Sequence, residues 1–339
     1  SVSPIASDAA GMQRDYWYGV NRAFAKLESP EAIGREATRR TVRKLGARKV
    51  STCRVPVIFD PEVAGSLLSH LCSALSGYAL YKGASFLIGQ LGQQIAPDFV
   101  TIYDDGRMPG GLGTRPFDGE GLPTRKQAMV ERGRLASYIL DTYSGKKLGL
   151  PSTGNAARSI GESPSAGPTN FYMVPGTTRP EDILASVKQG LYVTDLIGFG
   201  INMVTGDYSR GASGFWIENG ELAYPVEEIT IAGNLKQMYA NIETIGTDLV
   251  FRGRIASPTV KLAEMTRAGN ERAAEELDCC AIRHVSTHAP CWYCNNPQDV
   301  KKGRPARPQQ ARRRIVLALY GELLRFTTRG ITRVTFVNA

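Results

Sequence analysis

Apolar and polar positions follow two periods along this 339-residue chain. Val55 to Phe59 is a short apolar run, the mark of a buried strand. Directly after it, Val63, Leu67, Leu71 and Ala74 recur at helical spacing, with Leu68, Cys72 and Leu75 widening the stripe. Asp60 offers a carboxylate as N-cap, Pro61 suits the first helical position, and Glu62 favours the positive helix end. Gly77 is the predicted stop.

The remaining pattern is weaker. Ser29, Pro30 and Glu31 open a second helix, with Ile33, Ala37 and Leu45 on its inner face and Gly46 as its end. Arg35, Arg39, Arg40 and Arg43 are assigned to a solvated outer face. Tyr16, Trp17 and Tyr18 are read as packing residues, with a groove lining as the alternative. Phe99 to Tyr103 alternates briefly, and Asp104-Asp105-Gly106 after it is assigned to turn chemistry rather than to a cation or a shared proton. Arg134 to Tyr143 and Asn170 to Val174 read as strands, and Pro180 to Gln189 as a helix stopped by Gly190. From Leu191 the pattern turns β-rich. Asn219-Gly220 between Phe215–Ile217 and Leu222–Val226 is a strong hairpin signal. Ile229–Ile231, Ile242–Ile245 and Leu249–Phe251 are further strand candidates. The body is therefore expected to be α+β, a largely antiparallel sheet with a few packed helices, followed by an irregular basic tail.

Charge separates the tail from the body. Residues 1–278 carry 30 Lys and Arg against 30 Asp and Glu, so the net charge of +9 belongs entirely to residues 279–339. The balanced body gives no electrostatic case for nucleic acid; only the tail does. No run of 18 apolar residues suggests a membrane span, and Ser1–Ala10 lacks a signal-peptide profile. Cys53 and Cys72 are isolated thiols in the body, which suits a reducing, cytoplasmic compartment.

Candidate chemistry is sparse in the body. The patterned helix holds one histidine, His70, and no second ligand one turn on, whereas a catalytic zinc needs about three protein ligands. His70 and Cys72 stand two apart and fall on different helix faces. The Gly/Pro-rich stretch 106–123 lacks the Gly-Lys-Ser/Thr ending of a phosphate-binding loop. No Gly-x-Ser-x-Gly surrounds a serine nucleophile. In the tail, Cys279, Cys280, His284, His288, Cys291 and Cys294 fall within sixteen residues, and Cys-x-x-Cys and His-x-x-x-His are both zinc-compatible spacings. They are the candidate metal ligands. A basic, Pro-rich run, KKGRPARPQQARRR, and a short amphipathic segment, Ile315 to Phe326, follow.

DPEVAGSLLSHLCSALSG from Asp60, LYKGASFL after it, GMQRDYWYG from Gly11, LESPEAIGREA from Leu27, NFYMVPG from Asn170, and INMVTGDYSRGASGFWIENGELAYPVEEITIAGNL from Ile201 resemble the PmbA (TldE) branch of the TldD/PmbA family. The resemblance covers roughly residues 5–270. It implies pairing with a TldD-type catalytic subunit, which carries an HExxxH helix and a later Cys as zinc ligands and acts on peptides. On that alignment Ser69 and Ala74 stand at the two histidine positions and His70 at the glutamate. Thr247 to Val260, the later ligand region, contains no Cys. The implied division is 1–50 as a helical lead-in from a preceding domain outside this chain, 51–270 as the β-rich family domain, and 271–339 as a non-family tail. For the tail three readings stay open: an unrelated joined segment, a structural zinc segment, and a basic interaction arm.

The expectation is a non-catalytic subunit of a zinc metallopeptidase, with zinc in the partner and none in the body of this chain. A peptide substrate could add as a strand, with Asn170–Val174 and Ser209–Trp216 as the candidate segments, although both are read first as internal strands. The alternative is a metal- or nucleic-acid-binding protein acting through the Cys/His-rich tail.

Overall fold

The computed structural model describes residues 1–9 and 11–268 together with the backbone of a strand at 333–337. The six tail Cys and His residues and the 315–326 segment lie outside the described residues. Two strands, β1 (Ser3–Ser7) and β2 (Met12–Arg14), precede helix α1 (Pro30–Val42). Strand β3 (Cys53–Phe59) leads into α2 (Pro61–Leu75) and α3 (Gly77–Tyr81). A middle section follows: β4 (Ile102–Asp105), β5 (Lys126–Glu131), β6 (Arg134–Leu135), α4 (Thr142–Leu148), β7 (Ala156–Ala157), β8 (Ser165–Ala166) and β9 (Phe171–Met173). Helix α5 (Pro180–Ala185) precedes three long strands, β10 (Gln189–Ile201), β11 (Asp207–Glu218) and β12 (Glu221–Asn234). The described body ends with α6 (Leu235–Ala240), β13 (Ile242–Ile245), β14 (Ile255–Ala256) and β15 (Val260–Ala268); β16 (Arg333–Val337) pairs with β1.

The architecture is the expected α+β. The main sheet runs β12-β11-β10-β3-β15-β13, and β12 also pairs with β15. Those pairings close five strands into a ring, which removes their free edges. All neighbours in it are antiparallel except β10 and β3. The Asn219-Gly220 turn joins β11 to β12 with both residues at positive φ, the geometry such a two-residue hairpin requires. A second sheet, β14-β9-β4-β5-β6, lies on the other side of α2. The apolar face of α2, including Leu67, Leu68, Leu71 and Leu75, joins Val57, Phe59, Ile102, Met129 and Leu191 in one core.

Several elements differ from the pattern. Helix α2 ends at Leu75, because Ser76 turns extended (ψ 129°), and Gly77 opens α3 instead of capping α2. Its missing side chain is still required: a Cβ there would lie 2.2 Å from Ser144 Oγ. The strand expected over 134–143 is only β6. Beyond it the Ile139 backbone bonds to Leu75 and Gly77 around the end of α2, and Asp141 caps α4. Leu249–Phe251 is irregular. Asp104 lies within β4, 1% exposed, and accepts from Asn155 Nδ2 (2.6 Å) and Thr169 N (2.7 Å); only Asp105 does turn work, accepting from Arg107 N. Among the described residues no helix is long and apolar enough to cross a membrane.

Candidate functional site

Helix α2 stands between the two sheets, held at its start by Asp60, which accepts from Glu62 N at 3.1 Å. The flank away from its apolar stripe carries Gly65, Ser66, Ser69 and Ser73. Their hydroxyls turn back on the helix: Ser66 Oγ donates to Val63 O (2.7 Å), Ser69 Oγ to Gly65 O (3.0 Å) and Ser73 Oγ to Ser69 O (2.9 Å). The Ile255 carbonyl lies in ordinary contact range, 3.9 Å from where a Gly65 Cβ would stand. Ala74 is fully buried. Of the positions where the resemblance places HExxxH, one holds a hydroxyl satisfied by its own helix and another a methyl group. Neither supplies a donor that zinc accepts, so the residues present do not fit that centre. Among the described residues no group of three or more His, Cys, Asp or Glu side chains could hold a metal ion.

His70 and Cys72 are not brought together. His70 meets the edge of Tyr208 on β11, with ring centroids 6.1 Å apart. Its Nε2 is buried without a hydrogen-bond partner, as are Tyr208 Oη and Arg210 Nε. Burial, helped by the Arg210 charge, pulls the imidazole down from its usual 6.5 to about 4, so it is neutral at neutral pH. Cys72 lies in the core, and burial pushes its thiol up to about 12. A protonated core thiol is inert as nucleophile and ligand.

The second polar constellation escaped the sequence reading. Asp15, 6% exposed, forms ion pairs with Arg40 Nε on α1 (3.4 Å) and with Lys44 Nζ just beyond its end (2.9 Å). Arg40 was assigned to the solvated face, yet it is 5% exposed and lies over the Trp17 ring at 4.9 Å. Arg43, also assigned outward, lies over Phe215. Arg252 covers Trp17 at 4.1 Å and pairs with Glu28 (2.7 Å) and Glu62 (3.2 Å). Trp17 and Tyr18 therefore pack, whereas Tyr16 is half exposed and lines a cavity of about 30 Å³ with Glu62, Thr194 and Asp195. Desolvation raises the Glu62 carboxyl, and the Arg252 charge opposes that shift. The signal was present in the spacing: Arg40, Thr41 and Lys44 continue the i, i+3, i+4, i+7 face that begins at the inward Ala37, but they are polar, so a hydrophobic pattern does not mark them as buried.

The two peptide-strand candidates are interior. Segment 170–174 contains β9, which lies between β14 and β4; segment 209–216 lies in β11, between β10 and β12. Neither offers a free edge: both are internal strands, as read first, and strand addition at either is ruled out. Among the described strands, β13 pairs only with β15.

The PmbA/TldA metallopeptidase C-terminal domain pattern matches residues 52–269, and the central-domain pattern of the same family matches residues 1–45. The sequence is 44% identical over 265 residues to the metalloprotease PmbA of Escherichia coli O157:H7, spanning 78% of this chain and 57% of that protein. It is 42% identical over 271 residues to the PmbA homolog of Haemophilus influenzae, spanning 80% and 58%. The chain thus spans less than two thirds of the curated relatives it matches. The fold is similar to the crystal structure of TldE from Thermococcus kodakarensis, with a TM-score of 0.70 at 27% identity over 78% of this chain and 61% of that one.

Proposed function

Because the chain belongs to the PmbA/TldD metallopeptidase family, we propose that it is a non-catalytic subunit that works with a TldD-type partner on peptides. The observation that carries this reading is the make-up of α2, which has Ser69, His70 and Ala74 at the positions that the resemblance assigns to the zinc-binding motif of a TldD-type subunit. Zinc would polarise the scissile carbonyl and activate water in the partner. This chain would supply a rigid wall beside that centre and a surface that orients an extended peptide. The flank of α2 at Gly65, Ser66, Ser69 and Ser73 carries only small side chains, and β13, which pairs only with β15 among the described strands, leaves a short edge for strand addition before Gly176 and Thr178 meet Ile245 and Gly246. A cytoplasmic location belongs to the same proposal, supported by two free body thiols, Cys53 and Cys72.

The test is reconstitution. This chain, a TldD-type subunit, and their mixture are compared by size-exclusion chromatography and by hydrolysis of an unstructured peptide. The expected result is co-elution, with hydrolysis by the mixture well above that of either component. Hydrolysis by this chain alone, or a mixture that neither co-elutes nor exceeds the partner alone, would overturn the proposal.

A further inference from the structure

Arg267 on β15 stands directly opposite Cys53 on β3 in the antiparallel register. Directly opposed residues project from the same face of a sheet, so the pairing itself fixes their contact. Only 2% of Arg267 is exposed, and its guanidinium lies over the Trp216 ring at 4.9 Å. Nη2 donates to the Ser51 carbonyl and to Cys53 Sγ at 3.2 Å. Nε and Nη1 are buried with no hydrogen-bond partner. None of the ion pairs among the described residues includes Arg267.

A buried guanidinium without a counter-ion is costly, and buried cations are normally paired. The acid in direct contact with this one is the Cys53 thiol. The guanidinium that touches this sulfur through Nη2 thus keeps two N–H donors unused, and a charged donor of this kind favours oxygen bonded to that sulfur. Cys53 opens β3 and is only partly buried. Cys72, the other thiol of the described body, has neither feature: it is buried in the core.

We propose that Cys53 is a redox-sensitive thiol, oxidised by a peroxide to a sulfenic acid that the guanidinium of Arg267 holds. In the step, the Cys53 sulfur, as thiolate, attacks one peroxide oxygen. The S–O bond forms as the O–O bond breaks. The sulfur loses two electrons, and with hydrogen peroxide the leaving hydroxide takes a proton to become water. Arg267 is a positioning residue: it steadies the negative charge on sulfur before the attack and on oxygen after it. A thiol reductant reverses the modification. The site is independent of whether the chain pairs with a catalytic subunit.

The test uses the full chain, treated briefly with dilute hydrogen peroxide in the presence of a 1,3-dione that traps sulfenic acids. Peptide mass mapping then reads the adduct at each cysteine separately. The expected result is labelling of Cys53 about tenfold faster than the same cysteine in the free peptide 51–56, because the peptide lacks the guanidinium that contacts the sulfur. Cys72 stays unlabelled. Arg267→Met slows Cys53 labelling to the peptide rate, and Arg267→Lys restores part of it. Cys53 labelling no faster than in the peptide would overturn the proposal. So would a folded Arg267→Met chain labelling at the parent rate. If Arg267→Met fails to fold, the comparison of the parent chain with the peptide decides alone.

Discussion

Two polar regions flank α2, and they use polarity in opposite ways. At the N-terminal side, Asp15 pairs with Arg40 and Lys44, and Arg252 pairs with Glu28 and Glu62, the two sets meeting around Trp17 with ion pairs between 2.7 and 3.4 Å. Along the middle of the helix, Ser66, Ser69 and Ser73 spend their hydroxyls on their own backbone, and His70 leaves a nitrogen without a partner. One region is architecture made from charges. The other is the stretch to which the resemblance assigns a catalytic relative's metal ligands, and among the described residues it has no converging donors. The difference teaches that charge density is a poor guide to chemistry in this fold. The dense cluster holds the first segments of the chain onto α2, and the functional question lies in the sparse flank.

The largest effect should come from breaking the dense region at its centre. Asp15→Ala leaves two nearly buried cations, Arg40 and Lys44, without their shared carboxylate. It is expected to cost about 3–5 kcal/mol in chemical denaturation, as removal of one partner from a buried pair does. A loss below 1 kcal/mol would mean that the network is not architecture. The next effect comes from packing at the end of α2. Gly77→Ala drives a Cβ to within 2.2 Å of Ser144 Oγ, with an expected loss of about 1–3 kcal/mol from overpacking, read as a lowered Tm.

The sparse flank should show itself in pH dependence. The His70 pKa is about 4 in the folded chain, below its ordinary 6.5. Between those values the unfolded chain binds more protons, so stability rises with pH. The His70 contribution is complete above about pH 6.5 and is lost as pH falls towards 4. Denaturation midpoints measured from pH 4 to 7 should climb more steeply in the parent chain than in His70→Gln. Equal slopes would place His70 in solvent. The smallest effect separates neighbours on α1. Arg39 pairs with Glu36 at 2.6 Å on an exposed surface, so Arg39→Ala should cost only about 0.3–0.5 kcal/mol, while its neighbour Arg40 belongs to the buried network.

Much of the fold was legible where local chemistry and tertiary environment agree. The Asp60-Pro61 start of α2, the Ser29-Pro30 start of α1 and the Asn219-Gly220 hairpin are local signals, and each stands where its residues place it. Legibility failed where a distant partner decides. Arg40 looks solvated until Asp15 and Trp17 fold over it. The 134–143 stretch alternates like a strand but is held by the end of α2 and the start of α4. The Asp104-Asp105 pair reads as a turn, yet one carboxylate is carried into the core by β4 and satisfied by Asn155 and Thr169. The family motif residues on α2 were readable in sequence order. The return of their hydroxyls to the helix backbone was not, because that depends on rotamers. The contact between Cys53 and Arg267 depends on a register spanning 214 residues, which no local pattern encodes.

The most direct test of the central claim, that α2 carries no metal centre, is zinc stoichiometry by elemental analysis. The chain is measured alone and after reconstitution with a TldD-type subunit, and again with Cys279, Cys280, His284, His288, Cys291 and Cys294 replaced so that tail binding cannot contribute. The account predicts no stoichiometric zinc in the tail-replaced chain alone, and zinc in the reconstituted pair only in the amount the partner brings. One zinc per chain that persists after tail replacement and disappears in His70→Gln would contradict it.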